Sequence, residues 1–280
     1  FVSNIAHHSD IGGMAPGSMA GGMTEIYQEG LRIPPIRIAK NHEILDDVLD
    51  LVLLNVRVPA ERKGDYMAQI AANKLGARRL KELFTKWTRE QISEGCTGII
   101  EAVTRRMRAG IADLPDGKYE FTDVLDDDGM GTTNIPICVK IDIQSDEIWL
   151  NFEGSAPQVT GNMNNSFAGL QASVLFALKV LIDPDGPTNH GMLEPVHIDA
   201  PEASVVNASF PAATAARAQT CQRIIDVILG ALAPAVPERV IAACNGANGV
   251  ATFSGEGPDG QYYLYMETIG GGAGGRSYQD

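Results

Sequence analysis

Near the start of the chain, Ala6-His7-His8-Ser9-Asp10-Ile11-Gly12-Gly13 sets two imidazoles and a carboxylate within four positions. Imidazole and carboxylate suit a divalent metal, or a general acid/base pair that moves a proton to or from a reacting group. On a strand, neighbouring side chains point to opposite faces. His8 and Asp10 would then share one face and His7 the other, so a metal would take His7, or His8 with Asp10. Two ligands do not complete a site, and further donors must come from elsewhere. The competing reading is a histidine that satisfies backbone groups beside a turn.

Other positions carry weaker signals. Glu29 and Arg32 flank Gly30 in a polar loop, where a surface ion pair is the simplest reading. Gly270-Gly271-Gly272-Ala273-Gly274-Gly275 follows a strand-like run and precedes Arg276. No GK[ST] follows, so this is not a P-loop, although the glycine backbone after a strand could cradle a phosphate. Asp65 and Asn73 lie eight apart on a helical stretch, with Asp65 placed to cap its start. Asp126-Asp127-Asp128-Gly129 lacks the ligand alternation and terminal Glu of a calcium loop and reads as a solvated turn. His190 and His197 read as structural, and His42 as a surface helix residue.

The elements that must hold these residues follow from patterning. Residues 1–6 (FVSNIA) read as a strand running into the histidines. The next segment, IGGMAPGSMAGGM, holds Pro16 and five glycines and cannot be a helix. TEIYQEGLRIPPIRI is strand-like, broken at Pro34-Pro35. Asn41 is a candidate N-cap for a helix with Ile44, Leu45, Val48, Leu51 and Val52 on its apolar face. Helical periods continue over Gly64 to Thr88 and Cys96 to Ala109. From Lys118, KYEFTDVL, IPICVKIDI and EIWLNFEGS read as strands, with a tight turn at Gln144-Ser145-Asp146. Phe167 to Ile182 reads as a buried helix, VHIDA as a strand, Ala218 to Ala233 as a helix, and GVATFSG with QYYLYMETIG as a hairpin around residues 256–260. This order predicts α+β or mixed α/β, a helical layer followed by antiparallel hairpins and further helices, rather than a doubly wound parallel sheet. A soft boundary near 110–117 separates a metal-loop and helical region, 1–112, from a mixed sheet/helix region, 113–280, within one continuous catalytic domain.

Composition narrows the function classes. The chain has 280 residues, 44% hydrophobic and 20% charged, as an ordinary globular protein does. Its net charge of -13 repels phosphate backbones and argues against nucleic acid as a partner. Cys96, Cys138, Cys221 and Cys244 are dispersed, without CxxC spacing, which points to a reducing cytoplasm rather than a disulfide scaffold or zinc ribbon. The most apolar stretch, Leu170 to Ile182, is interrupted by Gln171, Ser173 and Lys179, short of the roughly 18 residues that suggest a membrane span. No signal-peptide pattern is present. The chain opens on Phe1 and closes just after the glycine cluster, which reads as a fragment or a processed chain.

Taken together, AHHSDIGG, PGSM (16–19), EIYQEGLRIPP (25–35), NVRVP (55–59), GDYMAQIAAN (64–73), FEGSAPQV (152–159), Asn164-Asn165, NASFPAAT (207–214) and ETIGGGAGGR (267–276) resemble, in their order, the hydantoinase B/5-oxoprolinase/acetone carboxylase alpha-type family. The resemblance covers nearly the whole chain. It implies a divalent metal (zinc, manganese or iron) with His7 as a ligand, and His8, Asp10 and Glu29 beside it in contact with substrate or supporting the chemistry. A His-x-x-Asp pair and a further acidic residue would complete the metal from outside these residues. Gly271, Gly272 and Arg276 would line the substrate wall. It also implies a hydantoinase A-type partner subunit that uses ATP and Mg to phosphorylate the substrate, in a homo- and hetero-oligomeric assembly, with this chain hydrolysing the activated cyclic amide. Two alternatives stand beside that expectation: ketone carboxylation of the acetone carboxylase type, and a non-catalytic structural subunit of such a complex. An unrelated acidic binding module fits the ordered motifs poorly.

Overall fold

The computed structural model describes residues 1–41, 43–246 and 248–275. They form two compact units that interleave along the sequence: 1–20, 27–95 and 250–268 in the first; 21–26, 96–249 and the residues from 269 onward in the second.

In the first unit, β1 (Ala39–Lys40) pairs antiparallel with β2 (Glu43–Ile44), followed by α1 (Asp46–Leu53) and α2 (Pro59–Leu83). Asp46 and Asp47 sit in the first turn of α1, where the helix dipole favours negative charge. Pro59 opens α2, where a missing N–H costs nothing. The helix expected from Asn41 therefore starts five residues later. Asn41 sits in a turn at φ 51°, Ile44 lies in β2, and Leu49 with Val52 forms the buried face, while Leu51 is exposed.

Residues 1–6 are not a strand. They lie against α2, with Asn4 Nδ2 donating to Gln69 O and Asn73 Oδ1, both at 2.9 Å. A Cβ at Gly76 would fall 2.6 Å from Val2 Cγ1, so the missing side chain makes room for this contact. We expect Gly76→Ala to gain helix propensity, by up to about 1 kcal/mol, and to expel residues 1–5. Limited proteolysis of the N-terminus would accelerate while the melting temperature holds or rises; an unchanged cleavage rate would refute the contact. The strand expected over 24–38 is also absent. It yields a single antiparallel bridge, Glu25 with Ala212, and a short 3-10 turn, Ile26–Gln28, where Ile26 N donates to Pro211 O (2.9 Å). The two prolines at 34–35 remove ladder donors.

α3 (Arg89–Ala112) leads into the second unit. There β3 (Gly117–Asp127), β4 (Thr133–Gln144), β5 (Glu147–Asn151) and β6 (Val196–Asp199) form one sheet in that order, antiparallel except for the parallel pair β5–β6. β4 is central. Its alternate residues Ile135, Ile137, Val139, Ile141 and Ile143 are all buried, the period-2 signature of a half-covered strand. α4 (Phe167–Ile182) begins at the Ser166 cap, whose side chain accepts from Gly169 N. α5 (Arg217–Leu232) crosses β3 so closely that a Cβ at Gly230 would fall 2.8 Å from the Phe121 ring. Arg223 on α5 pairs with Asp123 of β3. The core gathers the sheet, α4, α5 and the end of α3, where Val103, Met107 and Ile111 point inward. β7 (Gly249–Glu256) and β8 (Tyr262–Ile269) make the expected terminal hairpin. The architecture is α+β.

Asp128 departs from its expected solvated turn. It is buried, accepting from Met130 N (2.8 Å), Thr132 N (2.9 Å) and Gly161 N (3.0 Å). Burial pushes its carboxyl up, and these backbone donors outweigh that and hold it below the ordinary range. His42 lies outside the described residues.

Candidate active-site loop

The glycine-rich loop after the histidines is organised by one carboxylate. Asp10 is 0% exposed. Its Oδ1 accepts from Gly12 N (3.0 Å) and Arg57 N (3.2 Å), and its Oδ2 from Gly17 N (3.0 Å) and Arg57 Nη1 (2.8 Å). The same guanidinium donates to Gly12 O (3.2 Å) and Gly13 O (2.7 Å), clamping the loop from the segment that enters α2. Ser18 Oγ accepts from Ile11 N (2.8 Å) and donates to Gly12 O (2.9 Å). Two loop residues must be glycine. Gly12 and Gly13 have φ of +89° and +81°, and added Cβ atoms would fall 2.4 Å from Asn55 O and 2.5 Å from Gln28 O. Burial pushes the Asp10 carboxyl up, but the bonds from Gly12, Arg57 and Gly17 outweigh it and hold the group below the ordinary carboxylate range. With both oxygens fully engaged, Asp10 acts as a positioning residue for the loop.

His8 lies against α2. Its imidazole is mostly covered and meets the Tyr66 ring at 4.9 Å between centroids, tilted 33°. His8 Nδ1 is 3.6 Å from Asp65 Oδ2, beyond hydrogen-bond length, and is buried without a hydrogen-bond partner. Arg62 Nη1 holds the same Asp65 oxygen at 3.0 Å. Asp65 therefore sits inside α2, six residues past Pro59, and does not cap its start; Arg62, Asp65 and Tyr66 share one face by the i, i+3, i+4 spacing. Burial raises the Tyr66 phenol, with Arg62 opposing and Asp65 adding to the rise, which keeps it protonated at neutral pH.

His7 is exposed. Glu29 is half-buried, and its backbone carbonyl carbon stands 2.8 Å from where a Gly13 Cβ would be. Met14 N donates to Gln28 O (2.8 Å) and Leu31 N to Ile11 O (2.9 Å), so the Glu29 segment runs beside the glycine loop. The first unit thus gathers His7, His8, Asp10 and Glu29 on two adjoining loops. Gly271 and Gly272 belong to the second unit, where Asn245 N donates to Gly272 O (3.1 Å) and a Cβ at Gly271 would collide with the Asn245 side chain at 2.0 Å. Arg276 lies outside the described residues. His197, on β6, meets Glu147 at 3.0 Å and stacks on Trp149 at 4.8 Å, a contact within the sheet.

Among the described residues no three His, Cys, Asp or Glu side chains group closely enough to hold a metal ion. A lone exposed imidazole falls short of the three protein ligands of a catalytic zinc site, so the described residues do not by themselves fit the metal. Sequence reasoning missed Arg57 and Arg62. The available signals were the arginine two residues before the Pro59 helix start and the Arg62–Asp65–Tyr66 spacing inside that helix.

The sequence model of Hydantoinase B/oxoprolinase matches residues 1–280. Caprolactamase subunit beta of Pseudomonas jessenii is 34% identical over 281 residues, which cover 98% of this chain and 48% of that protein. The crystal structure of the ATP-dependent caprolactamase from Pseudomonas jessenii superposes with a TM-score of 0.85 at 32% identity, over 94% of this chain and 45% of that one. A nucleotide-free acetone carboxylase structure shares the fold, with a TM-score of 0.88 at 18% identity, over 98% of this chain and 39% of that one. The chain spans about half the length of the caprolactamase subunit it matches. Among the described residues no helix is long and apolar enough to cross a membrane. The matched length, the relatives and the shared fold agree: the chain belongs to the Hydantoinase B/oxoprolinase family.

Proposed function

We propose that this chain carries the hydrolytic site of an ATP-dependent cyclic-amide hydrolase, working in the cytoplasm beside a hydantoinase A-type subunit that uses ATP and Mg to activate the ring. The observation that carries the reading is the His7-His8 pair on a loop locked by Asp10 and Arg57, with Asp65 behind His8. In this scheme the partner transfers the γ-phosphoryl group of ATP to the ring carbonyl oxygen, water adds to that carbon, the C–N bond breaks as the ring nitrogen takes up a proton, and a second water releases phosphate from the acyl phosphate. His8 is the proton carrier in this scheme, its ring packed on Tyr66 and its Nδ1 3.6 Å from Asp65 Oδ2. Glu29, on the adjoining loop, is the second acid/base candidate. His7 is the group offered to a divalent zinc, manganese or iron ion whose other donors lie outside the described residues. Gly271, Gly272 and Arg276 are proposed to contact substrate. Similarity to a relative named as the beta subunit of a caprolactamase supports a hetero-oligomeric assembly.

The test uses the full chain with its A-type partner and follows ATP-dependent ring opening of caprolactam, 5-oxoproline and hydantoin. Parallel reactions with acetone and bicarbonate report carboxylation. We expect His8→Ala to lower kcat by about 10²–10⁴, the usual contribution of a positioned acid/base group, with thermal melting retained. Metal analysis should show that His7→Ala loses bound metal. Full turnover in both histidine variants would remove the loop from the active centre and favour a structural subunit.

A further inference from the structure

The second half of α2 runs against the charge of the molecule. The chain carries a net charge of -13, yet residues 69–83 hold Lys74, Arg78, Arg79 and Lys81 against one carboxylate, Glu82. That carboxylate accepts from Arg79 Nη1 at 2.9 Å. Lys74, Arg78 and Lys81 lie along another side of the helix. With Arg37 from the segment before β1, they line a cavity of about 680 Å³ in the first unit. Its α2 wall is a single helical stripe, since Ile70, Lys74, Ala77, Arg78 and Lys81 recur every three or four residues. Its apolar lining is Ile38 and Ala39 on one side and Ile70 and Ala77 on the other. Arg37, Arg78 and Lys81 are like charges around one concavity that repel one another, and an anion placed among them reverses that repulsion.

We propose that this cavity binds a phosphorylated small molecule, with the phosphate among Arg37, Arg78 and Lys81 and the apolar body on Ile38, Ala39, Ile70 and Ala77. Arginine offers paired N–H groups to phosphate oxygens, and lysine adds a compact charge. The volume lies within the range of small-molecule sites, and a cavity walled by two chain segments suits such a ligand better than a flat acidic protein surface. None of these residues belongs to the histidine loop, so the site stands whether or not the loop performs hydrolysis.

Titration calorimetry on the full chain tests this with inorganic phosphate, phenyl phosphate, ATP and phenol as probes. We expect phenyl phosphate to bind more tightly than inorganic phosphate, with Kd below about 1 mM, phenol not to bind, and affinity to fall as salt rises. ATP binding as tightly as phenyl phosphate would identify a nucleotide as the natural source; phenyl phosphate alone would identify another organic phosphate. The double variant Arg78→Glu/Lys81→Glu should lose at least about tenfold in affinity. Arg79→Ala, on the same helix but off the cavity, should bind as the parent does, and circular dichroism melting checks that both variants fold. Three results would overturn the proposal: no heat with any phosphate, unchanged affinity in the double variant, or binding of an acidic peptide such as oligo-aspartate where the phosphates fail.

Discussion

Asp10→Asn is expected to destabilise the first unit by about 3–5 kcal/mol, the range for removing one partner of a buried charge pair. The substitution is nearly isosteric, so the loss is chemical rather than a cavity. A carboxylate accepts at both oxygens, and Asp10 uses them for Gly12 N, Gly17 N, Arg57 N and Arg57 Nη1. An amide offers one oxygen and turns an NH₂ group toward donors. Arg57, only a quarter exposed, then loses its counter-charge. Urea unfolding followed by hydrogen exchange at the Gly12, Gly17 and Arg57 amides measures the effect; a shift under about 1 kcal/mol would mean the carboxylate does not organise the loop. The same pair gives a pH dependence. The folded Asp10 carboxyl lies below its unfolded value near 3.9. Its stabilisation is therefore complete above that unfolded value and is lost as pH falls through the lower, folded one. Asp10→Asn should flatten this acid limb of the stability profile.

Asn164→Ala carries the second large effect, a loss of about 3–5 kcal/mol from the second unit, since each buried polar group left unpaired costs roughly 1–3 kcal/mol. Asn164 is 0% exposed. Its Oδ1 accepts from Val159 N (2.8 Å), and its Nδ2 donates toward Val159 O (2.9 Å), Gly161 O (2.9 Å) and Ala213 O (3.0 Å). One side chain thus ties the loop after β5 to the segment that enters α5. Asn164→Asp sharpens the test. It keeps the acceptor for Val159 N but turns a charge onto three carbonyl oxygens, so it should destabilise at least as much as alanine. If calorimetric melting found the aspartate variant equal to the parent, the network would not be what holds this loop.

The fold from residue 117 onward was legible because burial there follows one period at a time. β4 alternates strictly, α4 and α5 keep helical spacing, and the β7–β8 hairpin is bounded by turn residues. The region before residue 46 was not legible, because no ladder longer than the two-residue β1–β2 pairing and no apolar stripe shapes it. Its residues are held by groups far along the chain: Asp10 and the Gly12 and Gly13 carbonyls by Arg57, and Asn4 by Asn73. Propensity places FVSNIA in a strand, but a strand needs a partner, and α2 occupies that side. At the site, residue types identified the histidine loop, while the division of labour came from burial: Asp10 is sealed and multiply bonded, His8 is partly covered beside Asp65, and His7 is exposed. The same accounting explains Asn164, whose motif marked the family and whose side chain works as a structural tie.

The Asp10–Arg57 clamp touches the glycine loop almost entirely through backbone N–H and C=O groups: Gly12 and Gly17 as donors, Gly12 and Gly13 as acceptors. Such a clamp does not sense which side chains the rest of the loop displays. Met14, more than half exposed, and Ala15 between the clamped glycines are therefore open to exchange without loosening the scaffold. Selection for a new substrate could draw on those positions in single steps, and a combinatorial library confined to them would vary what the loop presents while its shape stayed fixed.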